Sequence, residues 1–334
     1  MIRWFIILCT IFLMLYTISY GDESKNSDLE KIGKDFYSMK NLGGNVAFLI
    51  TEDGVVVIDA GTSLSAGKKI LNTIRKKTDK PIRYLIVTHY HNDHILGVDA
   101  FPEDISVISS EKTKENISNI TMKQRKINIE RRYPEYIDNM KKKLENMEDK
   151  DSKEYKELKN QIKETEEFFK EYKNTKIVEP DITFKDRKTL EIGGEVLEII
   201  HFPNTHTSGI SIVYFKNRKT VHTSDLIFNK MFPYIDYEGG GNSTNWIDAL
   251  EKIKKMDIDI VIPGHGNVEN SKKCISKQIE YFKTMKKKIQ NYVDKDYSVE
   301  KIKSELNLLQ YKDYGKKRLY EQNIEAIYKE FVQN

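Results

Sequence analysis

The stretch from His89 to His94, HYHNDH, directly follows an apolar run and contains three of the seven histidines of the chain together with an aspartate. Packing these rings together without partners would be unfavourable, because each buried polar group left unpaired costs about 1–3 kcal/mol. A metal ion removes this problem, since neutral imidazole and carboxylate groups are zinc ligands. Alternate residues of a short turn point the same way, so His89 and His91 can face one ion. Asp93 and His94 can face a neighbouring ion, and the stretch therefore predicts a metal site.

The residues before this stretch predict a scaffold of strands for it. Two apolar runs flank an Asp-Gly pair, which is a hairpin signal. A polar, helix-like segment follows, and a further apolar strand then runs directly into the histidine-rich stretch. The predicted elements of this first half are two hairpin strands, a helix and a strand, at residues 46–50, 55–58, 65–77 and 82–87.

The second half of the chain repeats this plan. Its predicted elements are three strands, a helix and a last strand, at residues 196–200, 210–215, 220–223, 246–256 and 258–262. Each cluster of His and Asp residues falls just after a strand, where loops from a rigid scaffold can converge. Two such halves predict an α/β (α+β) fold, in which two sheets form a sandwich with helices outside.

A segment of different composition, residues 111–176, separates the halves. It holds 18 basic and 15 acidic residues, so half of it is charged. Apolar residues recur in it at three- and four-residue steps, which predicts two helices with a narrow apolar seam. The capping-box spacing of Asp151 and Glu154 predicts that the second helix starts there. We favour a helical hairpin with solvated faces, and the alternative is a lid that gates substrate or recruits a protein partner.

The composition gives no case for a nucleic-acid partner. The chain has 334 residues, of which 32% are charged, with a formal net charge of +4. Without residues 1–21 it keeps 54 basic and 51 acidic residues, a formal +3. Such a balance lacks the positive excess that nucleic-acid binding requires. The expected ligand is a small-molecule substrate.

The first 21 residues are predicted to be a signal peptide. Arg3 supplies the positive start, and the uncharged apolar run from Trp4 to Ile18 is shorter than the roughly 20 residues of a spanning helix. Small residues at Ser19 and Gly21 provide a cleavage site. We expect an exported, periplasmic or secreted protein without stable membrane insertion after cleavage, and the alternative is an uncleaved anchor. Cys274 would be the remaining cysteine, so the mature chain would have no internal disulfide.

The pattern His-x-His-x-Asp-His resembles the first metal motif of the metallo-β-lactamase superfamily. Further motifs follow in the order typical of that family, with Asp59-Ala60-Gly61 ahead of it and three after it: Pro203 to Gly209 around His206, Ser224-Asp225-Leu226, and Pro263-Gly264-His265-Gly266. The resemblance covers about residues 40–270, and five motifs in order make coincidence improbable.

The resemblance implies a four-layer αββα sandwich of the metallo-β-lactamase type. It divides the chain into a signal peptide, the first half of the domain, the helical insert, the second half of the domain and a helical C-terminal extension: residues 1–21, 22–110, 111–176, 177–270 and 271–334.

The resemblance also implies a dinuclear zinc site, with the ligand set of glyoxalase II-like members and a bridging aspartate. Seven side chains would bind two zinc ions per chain: His89, His91 and His206 the first, Asp93, His94 and His265 the second, and Asp225 both. A bridging hydroxide would attack a substrate carbonyl. Asp93 would orient this nucleophile and shuttle its proton.

Three positions narrow the expected activity. Ser224 stands where the family commonly has glycine, which is a small change. His91 stands where flavodiiron relatives carry glutamate, which favours zinc-dependent hydrolysis over oxygen reduction. Asp225 stands where β-lactamase members usually carry cysteine or serine, which favours an ester, thioester or lactone as substrate.

Three alternatives stay open. Within the family, the chain could be a β-lactam hydrolase or an iron-dependent persulfide dioxygenase, which shares the first motif. From another class, it could be a non-catalytic exported metal-binding module. The complete ligand set counts against the module, because a retired site is free to lose ligands.

Several residues outside the ligand set also carry expectations. Asp59 either orients the histidine loop or caps a turn. His201 and His222 lie in strand-like runs outside any motif, and we expect them to be core histidines with hydrogen-bond partners. Residues 228–241 combine aromatic residues with a Gly run, so this loop either walls the substrate pocket or packs over the second sheet.

Overall fold

The computed structural model of the chain describes residues 28–316 and 318–332. The predicted signal peptide lies outside these residues. Within them, twelve strands form one sheet of seven strands and one of five. No helix in these two ranges is long and apolar enough to cross a membrane.

The first sheet follows the chain order from β1 to β7. The first four strands pair antiparallel, and β4 to β7 pair parallel. The insert leaves the sheet after β6 and returns to it at β7. The strands are β1 Leu29–Gly33, β2 Phe36–Leu42, β3 Gly44–Ile50, β4 Val55–Ile58, β5 Ile82–Ile86, β6 Ser106–Ser110 and β7 Ile182–Phe184.

The second sheet has the order β12-β11-β10-β9-β8. Its strands pair antiparallel except for β11 and β12, which run parallel. They carry two of the candidate ligands, Asp225 within β11 and His265 at the end of β12. The strands are β8 Arg187–Ile192, β9 Glu195–His201, β10 Ser211–Phe215, β11 Thr220–Phe228 and β12 Ile260–His265.

Ten α-helices complete the described chain, with π-helical and 3-10 turns between some of them. They are α1 Leu64–Arg75, α2 Asn92–Ile95, α3 Glu111–Asn116, α4 Met122–Ile127, α5 Tyr133–Glu145, α6 Lys153–Asn174, α7 Ser243–Lys254, α8 Lys273–Val293, α9 Val299–Glu305 and α10 Arg318–Val332.

Successive side chains of a strand point to opposite faces of the sheet and so pack in different layers, as β3 illustrates. Ala47 and Leu49 pack between the two sheets, against residues of the second sheet such as Val213. Val46 and Phe48 point the other way and pack in a cluster that includes side chains of α1. This two-residue period is that of a strand buried on both faces. The outer face of the second sheet packs against α7, α8 and the C-terminal helices, so the architecture is the predicted four-layer αββα sandwich.

A close backbone contact holds α1 against the turn that follows the histidine-rich stretch. The helix begins after Ser63, whose side chain accepts a hydrogen bond from the Ala66 backbone amide. A Cβ atom on Gly67 would lie 2.2 Å from the carbonyl oxygen of Gly97. Only glycine therefore permits this approach, which fixes the position of the turn.

The insert consists of two helical arms. The first arm is continuous from Glu111 to Glu145, because π-helical segments at Ile117–Thr121 and Asn128–Arg132 join α3, α4 and α5. The second arm is α6. Tyr133 and Tyr172 pack across the arms and against Leu96 of the sandwich, so the insert has its own small apolar cluster, which is anchored to the domain.

The predicted elements of both halves are present with bounds shifted by a few residues, and β1, β2, β6, β7 and β8 were not predicted. Two further differences concern one strand and the insert. The strand expected at residues 220–223 is longer and extends to Phe228. Ser224 and Asp225, which were expected to follow the strand, are buried within it. The second arm does not start at Asp151. Its N-cap is Ser152, whose side chain accepts a hydrogen bond from the Tyr155 backbone amide.

Candidate metal centre

The carboxyl ends of strands from both sheets bring the candidate ligands together. His89 lies just beyond β5, Asp225 lies in β11 and His265 ends β12, while His206 lies on the loop between β9 and β10. Seven potential ligand side chains form two groups, which we call the first cluster (His89, His91, His206 and Asp225) and the second cluster (Asp93, His94 and His265).

The first cluster converges on the Nδ1 atom of His91. This atom lies 3.0 Å from Nε2 of His89 and 3.0 Å from Nε2 of His206. Oδ2 of Asp225 lies 3.6 Å from Nε2 of His206. Three ring nitrogens and one carboxylate oxygen therefore surround one point.

The second cluster adjoins the first through Asp225. Nε2 of His94 and Nε2 of His265 lie 3.6 and 3.5 Å from Oδ2 of Asp93. Asp225 places Oδ1 3.3 Å from Nε2 of His94 and Oδ2 3.2 Å from Nε2 of His265. The carboxylate of Asp225 is thus the contact between the two clusters.

Partners on the far side of the rings set the tautomers of the histidines. Nδ1 of His206 lies 2.6 Å from the backbone oxygen of Tyr234, which can only accept a hydrogen bond. Nδ1 of His206 therefore donates, and Nε2 keeps a lone pair directed into the first cluster. His91 and His94 are held in the same way, by the carboxylates of Asp236 at 2.9 Å and Asp59 at 2.8 Å.

These contacts show that the residues present fit metal ions. Lone pairs of neighbouring rings face one another at 3.0 Å, which is favourable only with a cation between them. Nε2 of His94 and Oδ1 of Asp225 are buried 3.3 Å from each other, and neither forms a well-aligned hydrogen bond. Such orphaned atoms are costly unless a further group binds them.

Burial and charge keep the first cluster in the form that binds metals. Burial, and after it the neighbouring His91, lower the pKa of His206 to about 3. Burial alone would raise the pKa of Asp225, but His265 and His94 hold it well below its usual value. The imidazole is therefore neutral and the carboxylate ionised at neutral pH.

The second cluster attracts positive charge. Burial would lower the pKa of His94, but the carboxylates of Asp59, Asp93 and Asp225 raise it well above its usual value. This shift means that the anionic surroundings stabilise a cation at the ring. A proton or a metal ion can fill that role.

Asp59 fixes the start of the histidine-rich stretch, as expected of an orienting residue. One oxygen accepts a hydrogen bond from the Thr88 backbone amide at 2.9 Å, and the other contacts the Thr88 hydroxyl and His94. Asp59 has a φ of 62°, an unusual backbone conformation for a residue other than glycine. Its three hydrogen bonds hold this conformation.

Backbone packing fixes Asp225 and His265. A Cβ atom on Gly264 would lie 2.1 Å from Oδ1 of Asp225, so only glycine fits beside this carboxylate. The side-chain amide of Asn45 donates to the backbone oxygens of Pro263 and Gly266, both at 2.8 Å. These contacts set the path of the chain on either side of His265.

The two histidines outside the motifs have partners of their own. His222 is fully buried, and its Nε2 atom lies 3.2 Å from the backbone oxygen of Asn45. His201 is half-buried rather than in the core, and its nitrogens contact the backbone oxygens of Lys185 and Ser208. Neither belongs to a cluster, in agreement with the sequence-based interpretation.

Both clusters open into one cavity whose walls include three charged residues that the sequence analysis missed. Asp236 accepts hydrogen bonds from Tyr90 and His91. Arg132 comes from the insert and Lys316 from the C-terminal extension. The lining residues are Gly43, Thr62, Tyr90, His91, Asn92, Asp93, Thr121, Gln124, Asn128, Arg132, Asp225, Phe228, Tyr234, Asp236, His265, Lys316 and Leu319.

The loop at residues 228–241 has both of the roles considered for it. Phe228, Tyr234 and Asp236 line the cavity, whereas Phe232 and Ile235 pack in the core outside the second sheet. Asp236 lacks a motif around it, and its role depends on contacts distant in sequence. Only its place in the loop after Asp225 could have drawn attention to it.

Comparison with known proteins places this geometry in a family. The model of the metallo-beta-lactamase superfamily matches residues 40–115 and 119–265. A linear primary-alkylsulfatase of Pseudomonas sp. (strain ATCC 19151) is 23% identical over 225 residues, which cover 64% of this chain and 40% of the relative. The metallo-beta-lactamase IND-1 of Chryseobacterium indologenes is 22% identical over 247 residues, which cover 72% of this chain and 81% of the relative. The chain thus spans well under half of the alkylsulfatase.

Solved structures share the fold. The sec-alkylsulfatase Pisa1 of Pseudomonas sp. superposes with a TM-score of 0.65 at 17% identity, over 92% of this chain and 50% of that protein. A metallo-beta-lactamase from Pontibacter korlensis gives a TM-score of 0.55 at 17% identity, over 77% of this chain and 99% of that protein. The family match over most of the chain, together with this fold and the His/Asp clusters, confirms the predicted family and architecture: the chain belongs to the metallo-beta-lactamase superfamily.

Proposed function

We propose that the chain is a dinuclear zinc hydrolase that cleaves an ester, thioester or lactone. The observation that carries the proposal is the shared carboxylate of Asp225, which lies 3.6 Å from His206 in the first cluster and 3.2 Å from His265 in the second. Seven side chains would hold the ions: His89, His91, His206, Asp93, His94, His265 and Asp225.

Two bound zinc ions would supply a water of lowered pKa and an electrophile for the substrate oxygen. The chain's own residues position the reacting groups. Asp93 has 28% of its side chain exposed to the cavity, against 4% for Asp225. Asp93 is therefore the carboxylate best placed to take a proton from the attacking water and pass it to the leaving group.

The walls of the cavity suit an acyl group. Phe228 and Leu319 are apolar, and Tyr234 adds an aromatic face. Such contacts discriminate between acyl groups by only about 1–3 kcal/mol per methylene-sized difference, so broad tolerance is expected. The carboxylate at position 225, where β-lactamase members usually have cysteine or serine, favours substrates with good leaving groups over the amide of a β-lactam.

Sulfate esters are a second candidate substrate class. One relative is a linear primary-alkylsulfatase, and the cavity of this chain has the cationic side chains Arg132 and Lys316 in its walls. An anionic sulfate ester would find favourable electrostatics there.

The proposal is tested by kcat/KM values of the zinc-loaded protein on four substrates measured side by side: an aryl ester, a thioester, an alkyl sulfate and a β-lactam. We expect the ester or thioester to be the best substrate. A clear advantage for the β-lactam would overturn this assignment, and an advantage for the alkyl sulfate would select the second candidate. Elemental analysis of the active protein should find two zinc ions per chain, whereas a single iron would contradict hydrolysis.

We also propose that the protein is exported and that residues 1–21 are removed. The supporting observation is the short apolar run after Arg3. N-terminal sequencing of the protein recovered from the periplasm or medium should start at Asp22. A protein partner at the outer surface of the insert stays a prediction, which pull-down with the full chain would test.

A further inference from the structure

The first arm of the insert presents a polar face to the cavity. Thr121, Gln124, Asn128 and Arg132 all line it, at steps of three, four and four residues along one continuous helix. Thr121 and Arg132 end the two π-helical segments, and Asn128 begins the second. π-helical turns are rare and are frequently found at functional sites.

This face is held in place relative to the candidate metal centre. The hydroxyl of Thr121 donates to the backbone oxygen of Tyr90 at 3.1 Å, within the histidine-rich stretch itself. Asn116 donates to the hydroxyl of Ser208, on the loop that carries His206, at 2.8 Å. The arm is therefore tied to the loops of both halves of the domain, and its polar face is preorganised for binding.

Arg132 is the charged member of this face. Its Nη1 atom donates to Oδ1 of Asn128 at 3.3 Å, and its Nε atom is buried without a hydrogen-bond partner. No carboxylate of residues 28–316 or 318–332 forms an ion pair with it. The cavity carboxylate outside the two clusters, Asp236, is already held by Tyr90 and His91.

A guanidinium group in a cavity wall that has no carboxylate partner attracts an anionic group into the cavity. Its planar donors match the two oxygens of a carboxylate. The amide groups of Gln124 and Asn128 lie along the same face, and that of Asn128 already donates one hydrogen bond to the Tyr172 hydroxyl at 3.3 Å. Lys316 adds a second positive charge to the cavity wall. The cavity is therefore equipped for an anionic group in addition to the scissile bond.

We propose that Arg132, with Gln124 and Asn128, binds a carboxylate on the substrate, so that the substrate is an acidic ester. The inference rests on the proposed hydrolase function and assigns the insert to substrate recognition. The sequence favoured a helical hairpin with solvated faces. In the proposal, the first arm of the insert is solvated on one side and forms part of the substrate pocket on the other.

The test uses a pair of isosteric amide ligands that lack an ester bond: N-benzylsuccinamic acid, which has a free carboxylate, and N-benzylsuccinamide, which has a neutral amide in its place. Calorimetry on the full, zinc-loaded chain gives the Kd of each. Arg132→Gln should weaken binding of the acid about tenfold or more, because a charge-assisted pair is lost. The Kd of the neutral diamide should change by less than about twofold.

Arg131→Gln is the matched control, because Arg131 is the adjacent residue, is exposed and does not line the cavity. It should leave both Kd values unchanged. Arg132→Lys keeps the positive charge but loses the planar donors. It should therefore weaken binding of the acid by a smaller factor than Arg132→Gln does. This variant provides the same test if Arg132→Gln does not fold, as judged from its thermal unfolding.

The inference would be overturned if Arg132→Gln raised the Kd of the acid and the Kd of the diamide by the same factor. It would also be overturned if Arg131→Gln raised the Kd of the acid as much as Arg132→Gln does. Turnover is measured separately with benzyl hemisuccinate and with a neutral aryl ester. Failure to hydrolyse any ester would contradict the proposed function and would leave the binding result to stand by itself.

Discussion

The two candidate metal clusters share one carboxylate but differ in charge and in support. The first cluster is three imidazoles besides Asp225, and Asp236 supports it from behind through His91. The second contains Asp93 and is supported from behind by Asp59 through His94. A change at Asp236 should therefore act mainly on the first cluster and a change at Asp59 mainly on the second, whereas a change at Asp225 should act on both.

The largest effect is expected from Asp225→Ala. Both metal ions should be lost, because this carboxylate contacts both clusters, and kcat/KM should fall about a thousandfold or more. Elemental analysis after dialysis gives the metal content. His201→Ala is the control, since His201 contacts only backbone oxygens at its two nitrogens. A variant that keeps one full equivalent of metal would show that Asp225 is not shared.

Single-cluster ligand variants separate the two halves of the centre. His206→Ala should reduce the content from two ions to one by disrupting the first cluster, and His265→Ala should do the same through the second. In each variant the remaining ion should still bind. Loss of both ions from either variant would mean that the clusters fill as one cooperative unit, and the comparison between them would then fail.

Variants of the two supporting carboxylates sharpen the comparison. Asp236→Asn should weaken metal binding at the first cluster, and Asp59→Asn at the second, each about 10- to 100-fold. Competition with a chromogenic chelator measures the two affinities. Each change replaces one carboxylate oxygen that holds a histidine. Oδ2 of Asp59 also contacts the Thr88 hydroxyl, which lies 3.1 Å from Nδ1 of His89, so Asp59→Asn should weaken the first-cluster site to a smaller extent. A first-cluster site weakened as much as the second by Asp59→Asn would contradict the separation.

The smallest effect is expected from Tyr90→Phe, which removes one hydrogen bond to Asp236. Burial would raise the pKa of Asp236, but His91 and Tyr90 hold it below its usual 3.8. A lowered pKa stabilises the folded site above about pH 4, and this stabilisation is lost as the pH falls through the folded-state pKa. Tyr90→Phe should raise that pKa and move acid release of the first ion up by about half a pH unit. An unchanged acid-release curve would count against the role of Tyr90.

The candidate site was predictable where its chemistry is local in sequence. The stretch from His89 to His94 carries four potential ligands within six residues, and His206, Asp225 and His265 follow in motifs that come in a fixed order. The strands that position them also have clear signals, because their apolar runs end at these motifs.

The rest of the site depends on contacts that no local pattern encodes. Asp236 and Lys316 stand alone in sequence and reach the cavity only through the packing of a loop and of the C-terminal extension. Arg132 looks like one of many charges on an amphipathic insert. Its position on the inner face depends on the two π-helical segments, which shift the helical register and leave no recognisable trace in composition.

The continuous first arm of the insert also has a consequence for protein engineering. Four positions that line the cavity, Thr121, Gln124, Asn128 and Arg132, lie on one anchored helix and outside both metal clusters. Thr121 should be kept, because its hydroxyl anchors the arm to the Tyr90 backbone oxygen. Randomising the codons of the other three residues would give a small, focused library in which substrate preference varies while the ligand set stays constant. Directed evolution on this chain can start from that helix face, with retained zinc content as the screen for intact scaffolds.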